Sequence, residues 1–266
     1  MKRIKIHLSL FLLTLLVYYC STVPITGRKQ LSLIPASEIN ALSFQQYGEF
    51  LKQNKLSEDK EAVAMVKRVG VNIQKAVEAY FTQNNMMNQL QGYPWEFNLV
   101  ESNEINAWCM PGGKVVVYTG ILPLTKDETG LAVVMGHEIA HAIAQHGAER
   151  MSQSLLQQLG GMALSVALQN EPETTRNIFL AAYGVGSTVG VMLPFSRTHE
   201  SEADRLGLIF MAMAGYNPEA AVDFWTRMSQ SGGAKMPEWL STHPSDETRI
   251  ADIKKHLPEA LGYYKR

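Results

Sequence analysis

The sequence predicts an α+β protein that is mainly α-helical and contains a small three-stranded sheet. Three observations lead to this prediction. Apolar residues make up 46% and charged residues 18% of the 266 residues, which is typical of a globular chain with a sizeable core. Helix-capping residues followed by apolar residues at helical spacing recur along the chain. The segment 94–119 instead holds three short strand-like runs, with a Pro-Gly-Gly turn before the last one.

The first residues predict an exported chain with a membrane anchor. Residues 1–19 combine a basic start with an uncharged run, which is typical of a signal peptide. Cys20 follows that run and is predicted to carry the lipid of a bacterial lipoprotein, although Tyr18 and Tyr19 depart from the small residues expected there. Cleavage without lipidation and a retained anchor are the alternatives. All three place the remaining chain outside the cytoplasm, and we expect a membrane-anchored lipoprotein of the cell envelope that faces the periplasm.

Composition limits the domain organisation and the partners. We expect residues 20–36 to form a lipid-anchored tether and residues 37–266 to form a single domain. Cys109 would have no partner if Cys20 carries lipid, so a disulfide framework is excluded. The formal net charge of −1 gives no basic excess, so we expect no nucleic-acid partner. The sequence leaves the oligomeric state open.

The elements of the predicted domain follow in order from residue 37. Helices are predicted over 37–55, 57–80, 126–146, 151–169 and 217–228, with a last one after Pro244. Strands are predicted over 94–101, 105–110 and 113–119. Thr125 and Glu128 have the spacing of a capping box, which predicts the start of the third helix.

Residues 178–195 form a run without charge that is long enough to be a membrane span. Three glycines and a proline inside the run weaken that interpretation. A single crossing would also place His137 and Glu200 on opposite sides of the membrane. We therefore expect this run to be buried core or a lid over the site, with membrane contact as the alternative.

His137, Glu138 and His141 form an H-E-x-x-H pattern on the third predicted helix. Residues four apart are displaced by about 40° around a helix axis, so the two histidines project side by side and can share one tetrahedral zinc ion per chain. Glu138 lies on the same side and can reach a water bound to that ion. The alternative, a solvated polar helix face, is poorly supported because the neighbouring residues are apolar.

A catalytic zinc ion needs a third protein ligand. His146 points away around the helix, and position 147 is a glycine where another class of site has its third histidine. Cys109 would suit a deformylase-like site, although its setting is more typical of a strand residue. Glu200 can bind the metal, and Asp204, one turn later, can accept the second ring N–H of a bound histidine. Taken alone, that acidic segment is more typical of a solvated helix face.

Together these motifs resemble those of the M48 family of zinc peptidases, in the family's order from about Leu31 to Lys255. The matching residues are Asn106-Ala107, Pro111-Gly112-Gly113, Gly120-Ile121-Leu122, His137-Glu138-x-x-His141, Ser196-Arg197-x-x-Glu200-x-x-Ala203-Asp204 and the stretch THPSDETRI from Thr242. The resemblance implies a mainly helical, zincin-type metallopeptidase domain. Its zinc would be bound by His137, His141 and Glu200, with Glu138 as the base. It also implies that the 113–119 strand is the sheet edge along the substrate cleft.

From this resemblance we expect a zinc metalloendopeptidase that cleaves extended segments of unfolded or misassembled envelope proteins, through a zinc-activated water and Glu138. His243 and Arg249 are the candidates for stabilising the oxyanion. His243 could instead occupy the open position of zinc and inhibit the enzyme, or simply pack before Pro244, and Arg249 could be a solvated helix residue. A different function also stays open, an envelope assembly factor or chaperone with a mainly structural or latent zinc site.

Overall fold

The computed structural model of the chain describes residues 20–230 and 247–265. The predicted signal peptide, residues 1–19, lies outside the described residues, and so does His243. The predicted lipidation of Cys20 and the single-domain interpretation of residues 37–266 stay predictions.

Contacts between Cα atoms divide the chain into two compact units. The hairpin unit consists of the residues up to Glu38 together with residues 145–197. The sheet unit consists of residues 39–144 and 198–266.

The described chain is mainly helical, with small sheets, as predicted. Its helices are α1 Ala36–Gln53, α2 Lys60–Gln83, α3 Glu128–Ile143, α4 His146–Ala167, α5 Glu173–Ser187, α6 Leu193–Met213, α7 Ala220–Gln230 and α8 Glu247–Leu261. Its strands are β1 Cys20–Thr22, β2 Lys29–Leu31, β3 Glu96–Val100, β4 Ala107–Met110 and β5 Lys114–Tyr118. A π-helical turn, Thr188–Met192, joins α5 to α6, and one helical turn, Leu122–Thr125, precedes α3.

The three-stranded sheet of the sheet unit has the order β3-β5-β4. Strand β5 pairs in parallel with β3 and antiparallel with β4, so it is the central strand. The implication that the 113–119 strand forms the sheet edge is therefore wrong. In the sequence, Val115, Val116 and Val117 form an unbroken apolar run, which is typical of a strand covered on both faces. In the structure, all three are fully buried. Strand β4 is an edge of the described sheet.

Helix α2 packs on strand β3 and fixes one side of this sheet. The carboxylate of Asp59 caps α2 by accepting hydrogen bonds from the backbone N–H groups of Glu61 and Ala62, both at 3.0 Å. Gly70 faces the ring of Phe97, where an added Cβ would lie only 2.3 Å from a ring carbon. Glycine therefore lets the helix backbone approach the strand closely.

Helix α3 runs through the core of the sheet unit, with every residue from Gly130 to Ile143 buried. Its N-cap is Asp127, whose carboxylate accepts a hydrogen bond from the backbone of Gly130 at 2.9 Å. The capping box predicted for Thr125 is wrong. Lys126 has a φ of 67°, which ends the preceding turn and leaves Thr125 bonded to the carbonyl of Leu122 instead.

In the hairpin unit, the residues predicted as a tether contain regular structure. Strands β1 and β2 pair antiparallel, and Val23 after β1 is buried. The guanidinium group of Arg28 donates two hydrogen bonds to the carboxylate of Glu149 in α4, at 3.0 and 2.8 Å. The backbone of Leu33 also donates to the hydroxyl of Ser152. These bonds hold the N-terminal strands on helix α4.

Helices α4 and α5 form an antiparallel hairpin whose outer surface is apolar and exposed. Ile178 of α5 is 68% exposed and Val166 of α4 is 65% exposed. The expectation that residues 178–195 are buried core is therefore wrong for this unit. Within the described ranges, the continuous helical run Glu173–Met213 is long and apolar enough to cross a membrane, and none of its most apolar window is buried.

Candidate metal centre

The first part of the site is one face of helix α3. His137 and His141 lie one helical turn apart, and both are buried. Their rings meet edge to face with centroids 4.7 Å apart, and their Nε2 atoms are 3.0 Å apart. Two imidazole nitrogens therefore point at the same small volume, as ligands of one ion do.

The second part of the site comes from helix α6. One carboxylate oxygen of Glu200 lies 3.3 Å from Nε2 of His137, and the other lies 3.3 Å from Nε2 of His141. The three side chains offer ligand atoms that all lie within 4.8 Å of one another. Two nitrogens and an oxygen bound tetrahedrally at 2.0–2.1 Å would be roughly 3.3 Å apart, so this donor set fits a zinc ion.

A close helix crossing brings these two parts together. Gly136 of α3 faces Gly207 of α6, where an added Cβ on Gly207 would lie 2.9 Å from the backbone nitrogen of His137. An added Cβ on Gly136 would lie 3.0 Å from the carbonyl oxygen of Gly207. Only glycines allow the backbones to approach this closely. His137 follows the crossing on one helix, and Glu200 precedes it by two turns on the other.

Asp204 fixes the orientation of His137. Its carboxylate lies 2.8 Å from Nδ1 of the histidine, which leaves Nε2 facing His141 and Glu200. Burial alone would lower the pKa of His137, yet Asp204 and Glu200 outweigh it and raise this pKa to about 9. The same carboxylates would stabilise a bound cation.

Arg249 of helix α8 closes the far side of the site. Its Nε and Nη2 donate to the two oxygens of Asp204, at 2.8 and 2.7 Å, and its Nη1 lies 3.3 Å from Glu200. The guanidinium carbon also lies 3.3 Å from the ring centroid of Trp225 in α7. Burial raises the pKa of Asp204, but the charges of Arg249 and His137 outweigh it and hold that pKa below its usual value.

Glu138 is buried on α3 beside the two histidines. Cys109 lies on the edge strand β4, near this carboxylate. Desolvation and the negative charge of Glu138 together raise the pKa of the Cys109 thiol well above its usual range. A thiol with a raised pKa is protonated and is a poor metal ligand. Cys109 is thus next to the glutamate and outside the group of ligand atoms, which disfavours the deformylase-like alternative.

The structure brings together most of the side chains that the sequence singled out. Glu200 and Asp204 are buried, so the interpretation of their segment as a solvated face is wrong. Arg249 is also buried and ion-paired, which excludes a solvated helix position for it and commits its guanidinium to Asp204. His146 is not among the grouped ligand atoms, as expected. Sequence reasoning missed Trp225, because an aromatic residue on a helix gives no signal of what it covers.

Comparison with known proteins agrees with this geometry. The model of peptidase family M48 matches residues 55–257 of the chain. The mitochondrial metalloendopeptidase OMA1 of Bos taurus is 33% identical over 97% of this chain and 50% of its own length. The mitochondrial metalloendopeptidase OMA1 of Saccharomyces cerevisiae is 34% identical over 72% of this chain and 56% of its own length.

A bacterial relative matches a smaller part of the chain. The putative beta-barrel assembly-enhancing protease of Vibrio cholerae is 32% identical over 61% of this chain and 34% of its own length. The chain thus spans about half the length, or less, of the curated relatives that it matches. Members of the matched family use zinc, and the group formed by His137, His141 and Glu200 is compatible with a zinc site. The chain belongs to peptidase family M48.

Proposed function

We propose that this chain is a membrane-tethered zinc metalloendopeptidase that cleaves unfolded or misassembled envelope proteins. The observation that carries the proposal is the buried group of His137, His141 and Glu200 with Glu138 on the same helix as both histidines. Membership of peptidase family M48 supports the same activity.

His137, His141 and Glu200 would hold the zinc, and Asp204 would keep His137 in the tautomer that binds through Nε2. The ion would supply Lewis-acid activation of the scissile carbonyl and of the attacking water. Glu138 would take a proton from that water and deliver it to the leaving amine. Arg249 would act as a positioning residue, because both of its donating nitrogens on this side are bonded to Asp204.

The strand order changes where an extended substrate would bind. Strand β5 is paired on both sides, so its backbone has no free edge for a peptide. Strand β4 is the described edge next to Glu138, and we propose that an extended polypeptide pairs with β4. Binding through backbone hydrogen bonds would give weak sequence preference, which suits unfolded substrates.

The proposed location rests on the N-terminal sequence and on the relatives. The uncharged run that ends before Cys20 supports a lipid anchor on this cysteine in a bacterial envelope. The relatives include proteins named as mitochondrial and as enhancing beta-barrel assembly, which supports a membrane-associated setting. The even balance of charge supports a polypeptide substrate rather than a nucleic acid.

His243 keeps a proposed site role, either as an oxyanion donor or as an inhibitory ligand. If it inhibits, His243→Ala raises the rate of casein cleavage. If it donates to the oxyanion, the same variant lowers the rate without loss of zinc. An unchanged rate and zinc content would remove His243 from the site.

Glu138→Gln tests the proposed activity. Loss of the base should reduce casein cleavage by a factor of about 10² to 10⁴, while zinc content and thermal unfolding stay those of the wild type. Glu128→Gln is the matched control, because it removes a half-buried carboxylate from the same helix, where it is paired with Arg68. A chelator should abolish the activity of the control. Full activity of Glu138→Gln would reject the mechanism.

The same measurements separate the peptidase from the assembly-factor alternative. A chain that retains zinc but cleaves nothing, even as His243→Ala, would favour an envelope assembly factor or chaperone with a structural or latent zinc site.

A further inference from the structure

The hairpin unit presents an apolar surface that has no counterpart on the described sheet unit. We define the apolar hairpin surface by its exposed side chains: Leu155, Leu156, Leu159, Met162 and Val166 of α4, Ile178, Phe179 and Val185 of α5, and Val189, Val191 and Leu193 after it. We propose that this surface inserts into the hydrocarbon of a lipid bilayer and holds the protein on the membrane independently of any anchor at Cys20.

Both arms of the hairpin lack charge over a length that matches a bilayer. No Asp, Glu, Lys, Arg or His occurs in residues 151–170 or in residues 177–196, twenty residues each. At 1.5 Å per residue, each arm extends about 30 Å, which is the thickness of the hydrocarbon core. The nearest charges are Arg150 and Arg197 at the open end and a short acidic and basic turn at the closed end.

Polar side chains in the middle of the two arms form hydrogen bonds across the hairpin. Gln157 of α4 donates to the hydroxyl of Ser187 at 2.7 Å, and Tyr183 of α5 donates to the backbone carbonyl of Gln157 at 3.0 Å. Next to this pair, Gly160 lies against the tyrosine ring and would clash with it if it carried a Cβ. Inward hydrogen bonds and small residues at the helix contact are typical of helix pairs in membranes.

A bilayer fits this surface better than a second protein does. The exposed apolar side chains lie on both helices and on the π-helical turn after α5, so the surface extends along both arms over a length that matches the hydrocarbon core. Chain continuity gives a second argument. The uncharged run Leu8–Tyr19 ends where β1 begins, and β1 and β2 belong to the same unit as the hairpin. An anchor at Cys20 would hold this unit, rather than the sheet unit, at the membrane.

Vesicle flotation tests the proposal on the chain from residue 20 onward, which contains all of the described residues. Cys20→Ser removes the possibility of a lipid. We expect this protein to float with vesicles of phosphatidylethanolamine and phosphatidylglycerol. Adding Val166→Gln, Ile178→Gln and Val185→Gln should reduce vesicle binding roughly tenfold or more, since three apolar side chains lose their transfer into hydrocarbon. Glutamine keeps helix propensity, and circular dichroism and zinc content check the fold.

The matched control places glutamine at three exposed apolar positions of the sheet unit, Leu42, Leu56 and Val71. This control should float like the parent protein. A parent protein that stays in solution, or a hairpin variant that floats as well as the control, would overturn the proposal. A hairpin-dependent dimer without flotation would also overturn it and would make a second copy of the chain the occupant.

Fluorescence locates the contact directly. Phe179→Trp places an indole on the hairpin surface, and brominated lipids should quench it more than the indole of Leu42→Trp on the sheet unit. Equal quenching would contradict insertion of the hairpin. None of these readouts uses peptide cleavage, so they fail or succeed separately from the proposed peptidase activity.

Discussion

At the scale of single residues, His137 shows how one side chain takes two roles. Its Nδ1 is bonded to Asp204, and its Nε2 faces His141 and Glu200. The carboxylate fixes the ring orientation and, in the neutral ring that binds a metal, it selects the tautomer whose lone pair is on Nε2. The spacing of Glu200 and Asp204 allowed this arrangement to be proposed from the sequence, but the spacing alone did not distinguish it from a solvated face.

Arg249 is the residue whose role the sequence identified least well. Arg249→Ala would leave the carboxylate of Asp204 buried without its partner. We therefore expect this variant to lose about 3–5 kcal/mol of unfolding free energy. Zinc affinity should fall about 10–100-fold, because the orientation of His137 depends on Asp204. Arg249→Lys should restore part of both. Urea unfolding and chelator competition measure the two effects.

A second arginine provides the control for that prediction. Arg205 on α6 also pairs with α8, through Glu259, but this pair is about one-third exposed and does not contact the ligands. Arg205→Ala should therefore cost less than about 1 kcal/mol and leave zinc affinity unchanged. Equal zinc affinities in Arg249→Ala and wild type would show that Arg249 does not support the site.

At the scale of elements, the crossing of α3 and α6 matters most, because it sets the distance between the two groups of ligands. The H-E-x-x-H helix and the one-turn spacing of Glu200 and Asp204 were both predicted from the sequence. The crossing of the two helices was not, because Gly136 and Gly207 are separated by 71 positions, and a single glycine in a helix does not indicate what lies against it.

Gly207→Ala tests the importance of this crossing. An added methyl group would meet the backbone of Gly136 and His137, so the helices must separate, which should cost about 1–3 kcal/mol. Zinc affinity should fall with it, because Glu200 moves relative to the histidines. Thermal unfolding and chelator competition measure these effects.

Gly48→Ala is the matched control for that substitution. This glycine is also helical, and an added Cβ there would meet nothing within 4 Å. Since alanine favours helix, this variant should be as stable as the wild type or slightly more stable. A Gly207→Ala protein that matched Gly48→Ala in stability and zinc affinity would show that the crossing tolerates wider spacing.

The small sheet shows a similar limit of sequence reasoning. The three strands were predicted within about two residues of their ends, because β-branched runs and a Pro-Gly-Gly turn are local signals. Their order depends on pairing between distant residues. The unbroken valine run of β5 was nevertheless a usable signal, since it indicates a central strand and excludes the edge position that the family resemblance had implied.

At the scale of the whole molecule, apolar segments were easier to find than to place. Hydrophobicity identifies α3 and the run 178–195 equally well, yet α3 is buried in the sheet unit and the other run is exposed on the hairpin unit. The sequence shows how apolar a segment is. Whether that segment is buried depends on which other residues of the chain pack against it. In this chain the described residues cover the ligand-bearing helix and leave the hairpin uncovered.

The central claim is that His137, His141 and Glu200 hold one zinc ion, and zinc K-edge X-ray absorption on the purified protein tests it most directly. We predict one zinc per chain with only nitrogen and oxygen neighbours, at about 2.0–2.1 Å. A sulfur neighbour at about 2.3 Å would instead make Cys109 a ligand and contradict the proposed site. A protein that binds no zinc at all would contradict it as well.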